Sequence, residues 1–241
     1  GFQTGDRPPL VLVYTAAGGS FTQSLVYSND RGRTWTKYAG NPVLTQLEDA
    51  NRDPKVFWHA PTGRWVMVLY VVRGEAHFFT SPDLKAWQLS SVVPLDDFFE
   101  CPDLFELPID GDPANTTWLL HDAHLHYWLG QFDGETFVAE AERRRGDFGC
   151  NFHAAQSWND APRRVQVGWM CNGAYPDMPF SQQMSFPCEM SLGTVGGEVR
   201  LLRWPVREIE MLYAESVELT DVTVAPGDDP LAGMTGELLD I

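Results

Sequence analysis

Ser28-Asn29-Asp30-Arg31-Gly32-Arg33-Thr34-Trp35 is the stretch whose reading decides the fold. Its order, Ser-x-Asp-x-Gly-x-Thr-Trp, is that of an Asp-box hairpin. An aspartate there closes a side-chain turn, the glycine supplies a positive φ, and the tryptophan packs back on the blade. Ser81-Pro82-Asp83-Leu84-Lys85-Ala86-Trp87 is a looser copy, with Asp83 following Asp30 by 53 residues. Such boxes staple the strands of β-propellers far more often than they do chemistry. The pair therefore speaks for architecture.

Outward from the first box the chain reads as strands, and no segment has a helical period. Residues 10–15 and 22–28 flank a Gly18-Gly19 turn. After Asp53 come strands at 56–58, 65–72 and 77–80, and after Asp103 come strands at 104–107, 117–121 and 126–132. Residues 152–158 and 165–171 open a further unit. Unit starts near 53, 103 and 152 give an interval of about 50 residues, which suits four-stranded blades. In a propeller the first strand of each blade lines the central axis, so residues at unit starts converge there. That geometry pairs Asp53, in Asn51-Arg52-Asp53-Pro54-Lys55, with Glu100, in Phe98-Phe99-Glu100-Cys101-Pro102-Asp103. Phe98 and Phe99 would wall Glu100 in a low dielectric, and Pro102 would hold Cys101 extended. A carboxyl group so placed suits proton donation to a leaving group.

The chain has 241 residues, 44 % of them hydrophobic, and can bury a sizeable core. No apolar run approaches the roughly 18 residues of a membrane span. With 33 acids against 17 bases the net charge is −16, which argues against a nucleic-acid partner. The four cysteines (Cys101, Cys150, Cys171, Cys188) lack zinc-site spacing and are too few for a disulfide scaffold. The opening Gly1-Phe2-Gln3-Thr4-Gly5 has neither an initiator methionine nor a signal-peptide pattern, and reads as the interior of a longer protein. Past Pro205 the character changes. Residues 217–224 alternate, Pro226-Gly227-Asp228-Asp229-Pro230 interrupts them, and 236–241 reads as the start of another strand. The expected division is 1–208 as a partial propeller and 209–241 as a linker with the first strands of a β-sandwich.

These motifs together carry a resemblance. Residues 27–35, Arg52-Asp53-Pro54-Lys55-Val56-Phe57-Trp58, Phe99-Glu100-Cys101-Pro102-Asp103-Leu104-Phe105 and Gln182-Gln183-Met184-Ser185-Phe186-Pro187 resemble glycoside hydrolase family 32, the fructan hydrolases and invertases. The Arg-Asp-Pro and Glu-Cys-Pro pair at this separation is the specific part of the signal. The resemblance implies a five-bladed β-propeller followed by a β-sandwich, with the first blade largely missing here. It implies cleavage of β-fructofuranosyl bonds in fructans or sucrose with retention, with no cofactor and no metal. By it, Glu100 is the general acid/base, Asp53 stabilises the transition state, and Arg52, Cys101 and Asn151 contribute to the sugar site. The family's nucleophile lies in a Trp-x-Asn-Asp-Pro-Asn-Gly stretch that has no counterpart here, so it is expected upstream and these residues alone are expected to be inactive. A secreted or periplasmic location is favoured over a cytoplasmic one.

The chain departs from the family pattern at Asn151-Phe152-His153-Ala154, where Asp-Phe-Tyr-Ala is common, and at Pro187-Cys188-Glu189 and Cys171-Asn172-Gly173. Two other readings compete: a fructan-binding propeller without catalysis, and a sialidase-like propeller, which would need an arginine triad. In His121-Asp122-Ala123-His124-Leu125-His126, two histidines share one face if the segment is a strand. That cluster reads as a solvated strand edge ahead of a metal site. Arg143-Arg144-Arg145 reads as solvent-facing.

Overall fold

The computed structural model describes residues 1–48, 50–140, 142–159 and 161–235. The chain divides into two units, Gly1–Val206 and Arg207–Ile241.

The first unit is all-β. Strands β1 (Leu10–Ala17), β2 (Phe21–Ser28) and β3 (Thr36–Lys37) form a three-stranded antiparallel sheet. A four-stranded blade follows from β4 (Arg52–His59), β5 (Arg64–Tyr70), β6 (Glu75–Ser81) and β7 (Gln88–Pro94). The next comprises β8 (Asp103–Ile109), β9 (Asp112–His121), β10 (His126–Phe132) and β11 (Phe137–Ala139), with the short β12 (Arg144–Arg145) against β10. The last is built from β13 (Phe152–Ser157), β14 (Val165–Met170), β16 (Cys188–Val195) and β17 (Glu198–Pro205), with β15 (Gln183–Met184) beside β14. A single parallel pairing, Leu192 with Ile109, joins this blade to its neighbour. Among the described residues the fold is a partial β-propeller of four blades, the last two joined into one ten-stranded sheet.

Both Asp boxes form as their residue types require. In the first, the Asp30 carboxylate accepts from the Thr34 hydroxyl and N–H and from the Ser28 hydroxyl. Those bonds, the Thr34 hydroxyl's first, lower its pKa to about 2. Gly32 has φ 83°, and the Trp35 indole N–H donates to its carbonyl. In the second, Asp83 accepts from the N–H groups of Lys85 and Ala86, and Trp87 donates to Leu84. Leu84 takes φ 68° there without the help of a glycine.

The blades pack face to face. β5 is buried on both sides, which explains why its sequence runs apolar without alternation. Val66, Val68 and Tyr70 meet Leu104, Leu120, Trp128 and Phe132 of the third blade. Met67 and Leu69 face the other way, toward Leu44. Phe105, Leu119, Tyr127 and Leu129 pack on Met190 and Leu192 of the fourth. Each fully buried side chain of this size contributes about 1.5–3 kcal/mol.

Several expectations are corrected. Strands β7, β16 and β17 were not legible in the pattern. In the second unit a 3-10 helix spans Arg207–Leu212, and residues 213–235 contain no strand, so the sandwich strands expected over 217–224 are not formed. A lone alternating segment has no partner for its backbone hydrogen bonds. The strand expected at 236–241 lies outside the described residues. The arginine run is not simply solvated. Arg143 pairs with Asp97 at 3.0 Å, and Arg144 donates to the Val199 carbonyl.

Candidate active site

The unit starts do converge, and bulges are the means. The β4–β5 register shifts between Arg52 and Lys55, where Asp53 has φ 61°. The β13–β14 register shifts between His153 and Gln156, where Ala154 has φ 52°. Glu100 and Cys101, just before β8, have φ 52° and 43°. Non-glycine residues in this left-handed region cost on the order of 1–3 kcal/mol each and persist only where their surroundings hold them. Cys101 is therefore not extended, as the following proline led one to expect; its N–H is turned onto Asp53. At β4 and β13 the bulge kinks the inner strand and re-aims a side chain, and ahead of β8 the left-handed turn at Glu100 and Cys101 does the same.

Four blades supply the resulting cluster and its supports. Arg52 donates from Nε at 3.1 Å, and also from Nη2, to Glu100 Oε1. Its guanidinium lies 4.6 Å from the centre of the Tyr70 ring. Asp53 Oδ2 accepts from the Cys101 N–H at 3.2 Å and the Cys101 thiol at 3.4 Å. The Asp53 N–H donates to Thr15 Oγ1, which itself donates to Gln23. His153 Nε2 stands 3.6 Å from Glu100 Oε2. Ligand atoms of Asp53, Glu100 and Cys101 all fall within 4.8 Å of one another. The Glu100 side chain keeps 19 % of its surface exposed and Asp53 31 %, so a ligand can reach both. Burial first, and then Asp53, push the Cys101 thiol far up. Cys101 is thus a neutral donor, not a thiolate.

The aromatic wall differs from expectation. Phe98 is fully buried against Trp128 in the core. Phe99 alone faces the site, edge-on to Tyr70 and stacked with His124. Asn151 is not drawn in: among the described residues its side chain accepts only from the Cys150 thiol, and its carbonyl pairs with Cys171. All four cysteines are free.

Behind the cluster lies a buried polar chain that sequence reasoning missed. Lys55 Nζ is 3.0 Å from Asp103 Oδ1 and donates to the Ser157 carbonyl at 2.7 Å. The Ser157 N–H donates to Asp103 Oδ2, and His121 Nε2 lies 3.7 Å from the same oxygen and 2.9 Å from the Gln166 side-chain nitrogen. Burial alone would push the Asp103 carboxyl up. The Lys55 ammonium, then His121 and Ser157, outweigh it and hold the carboxyl well below the usual carboxylate range. This chain ties the three four-stranded blades together two residues beyond Asp53 and three beyond Glu100.

A curled array of blades with two carboxylates, a guanidinium and a thiol at its axis defines a β-propeller of the glycoside-hydrolase type. The chain belongs to glycosyl hydrolases family 32: the model of that family's N-terminal domain matches residues 2–205. It is similar to a levanase of Bacillus subtilis, at 38 % identity over all of this chain and 40 % of the relative. An extracellular exo-inulinase of Aspergillus niger is 32 % identical over 85 % of this chain and 48 % of its own length. Among solved structures, an exo-inulinase of Aspergillus awamori superposes with a TM-score of 0.76 at 29 % identity, covering 85 % of this chain and 50 % of the other. A fructofuranosidase of Schwanniomyces occidentalis complexed with fructose gives 0.74 at 29 % identity, covering 81 % and 43 %. The chain spans under half the length of these curated relatives.

His153 is the site residue that sequence reasoning passed over as a mere departure. The signal was its place: it begins the fourth blade's inner strand, as Asp53 begins the second's.

Proposed function

We propose that these residues form part of the catalytic propeller of a β-fructosidase that cleaves sucrose or a fructan with retention. Glu100 is the general acid/base, Asp53 the transition-state stabiliser, and Arg52 and Cys101 hold them in place. The observation that carries this is the convergence of Arg52, Asp53, Glu100 and Cys101 from two blade starts onto one accessible spot.

Retention uses two carboxyl groups about 5 Å apart, one nucleophile and one acid/base. A carboxylate oxygen of Asp53 lies within 4.8 Å of one of Glu100, but Asp53 Oδ2 already accepts two bonds from Cys101. A carboxylate so engaged is a weaker nucleophile and a well-anchored partner for sugar hydroxyls. By the family resemblance the nucleophile belongs to a Trp-x-Asn-Asp-Pro-Asn-Gly stretch, so it is assigned to neither of these acids. Arg52 clamps Glu100 in the absence of sugar, so substrate must draw the guanidinium onto a hydroxyl to free Glu100 Oε1. Two relatives are extracellular exo-inulinases, which supports action outside the cytoplasm.

The experiment is fructose release from sucrose, inulin and levan by a longer chain that contains these residues, beside its Glu100→Gln and Asp53→Asn variants. Turnover abolished by either change supports the reading. Fructan binding without turnover would make the protein a binding propeller instead.

A further inference from the structure

The turn between β9 and β10 carries Asp122, His124 and His126, with one ligand atom of each lying within 4.8 Å of the others. The two histidines do not meet on a strand face, as the sequence suggested. His124 sits in the turn and His126 begins β10, and the loop folds them over the same carboxylate.

We propose that Asp122, His124 and His126 bind a first-row divalent metal ion of the zinc and cobalt kind. Two imidazoles and one carboxylate form a donor set that such ions prefer over calcium or magnesium. The carboxylate is already positioned as a ligand. Asp122 is buried, and its Oδ1 accepts from the N–H groups of His124 at 3.0 Å and His126 at 2.9 Å. Oδ2 is left facing His126 Nδ1 at 3.2 Å. Two donors on one tetrahedral zinc, each at about 2.05 Å, lie about 3.3 Å apart. A metal ion can therefore be taken between this pair without moving either residue far. His124 is exposed, so it can swing onto the ion as third ligand, and solvent fills the fourth position.

The turn is also rigid, which lowers the cost of assembling the site. The Asp122 N–H donates to the His126 carbonyl, the Ala123 N–H to the Phe99 carbonyl, and the Ala154 N–H to the Ala123 carbonyl. Phe99 precedes Glu100, and the His153 ring lies 4.9 Å from that of His124, so the ion would sit beside the acid cluster and yet be distinct from it. Asp53, Glu100 and Cys101 form the other cluster of possible ligands among the described residues, and the test separates the two.

Cobalt(II) titrated into the tag-free 241-residue chain, followed by visible absorption and calorimetry, tests the proposal. One equivalent should bind with nitrogen- and oxygen-type ligand-field bands. His124→Ala and His126→Gln should each weaken binding at least about tenfold. His124 is exposed at a turn, so its removal spares the fold, which a thermal melt without metal checks. Glu100→Gln should leave the affinity unchanged. The proposal is overturned by absence of binding, or by affinity unchanged from the parent chain in either histidine variant. A thiolate-to-cobalt charge-transfer band, or loss of binding in Glu100→Gln alone, would place the ion on the other cluster and overturn it equally.

Discussion

Arg52 and Glu100, 48 residues apart, share one oxygen: the guanidinium donates two hydrogen bonds to Glu100 Oε1, leaving Oε2 toward His153. A fork that grips a single oxygen orients the carboxyl group and keeps its other oxygen for a reacting atom. Lysine could supply the charge without that geometry. Arg52→Lys should lower kcat/KM by roughly 10–100-fold while leaving the melting temperature within a few degrees, because misplacement of about 1 Å costs on that order. Unchanged kinetics would remove Arg52 from the site.

Asp53→Asn should depress kcat and kcat/KM together, the pattern of an interaction made mainly in the transition state. Steady-state kinetics on sucrose in an active longer form checks this. A rise in KM with kcat intact would make Asp53 an ordinary binding residue.

The buried Lys55–Asp103 pair underlies the whole cluster. Lys55→Met should destabilise the protein by about 3–5 kcal/mol, since it strands a buried carboxylate, and adding Asp103→Leu should recover part of the loss. Chemical denaturation measures both. The pH dependence follows from the same contact. The Asp103 pKa is lower in the folded than in the unfolded state, where it is about 3.9. Its contribution is therefore complete above that value and fades as pH falls toward the folded one. Stability that stayed flat from pH 5 down to 2 would contradict the pairing.

The blade period, both Asp boxes and the meeting of Asp53 with Glu100 were legible because each rests on local chemistry or on a fixed repeat. What escaped depended on contacts between blades. β16 and β17 follow a long irregular connection, so the interval that located the earlier units gave no mark for them. Lys55 and Asp103 read as ordinary flanking charges, and only packing of three blades turns them into a buried pair. His153 and the Asp122 turn gained their places from bulges and from bonds such as Ala154 to Ala123, which no periodicity announces. Asn151 was expected at the sugar site, and the bulge after it brought His153 forward instead.

Residues 1–241 by themselves should release no fructose from sucrose, inulin or levan. A propeller pocket needs every inner strand to exclude water and to fix the reacting groups. On the proposed reading the cluster supplies an acid, Glu100, and a stabiliser, Asp53, and neither is given the nucleophile's part. Sustained turnover by this chain would require a nucleophile among the residues present.

The most direct test of the account is the leaving-group dependence of Glu100→Gln in an active longer form. Sucrose departs only when its glycosidic oxygen is protonated, whereas fluoride in β-fructosyl fluoride leaves with little such help. The account predicts that first-step rates on sucrose fall by about 10²–10⁴-fold while those on the fluoride fall far less. Equal losses on the two substrates would contradict the assignment of Glu100 as the proton donor.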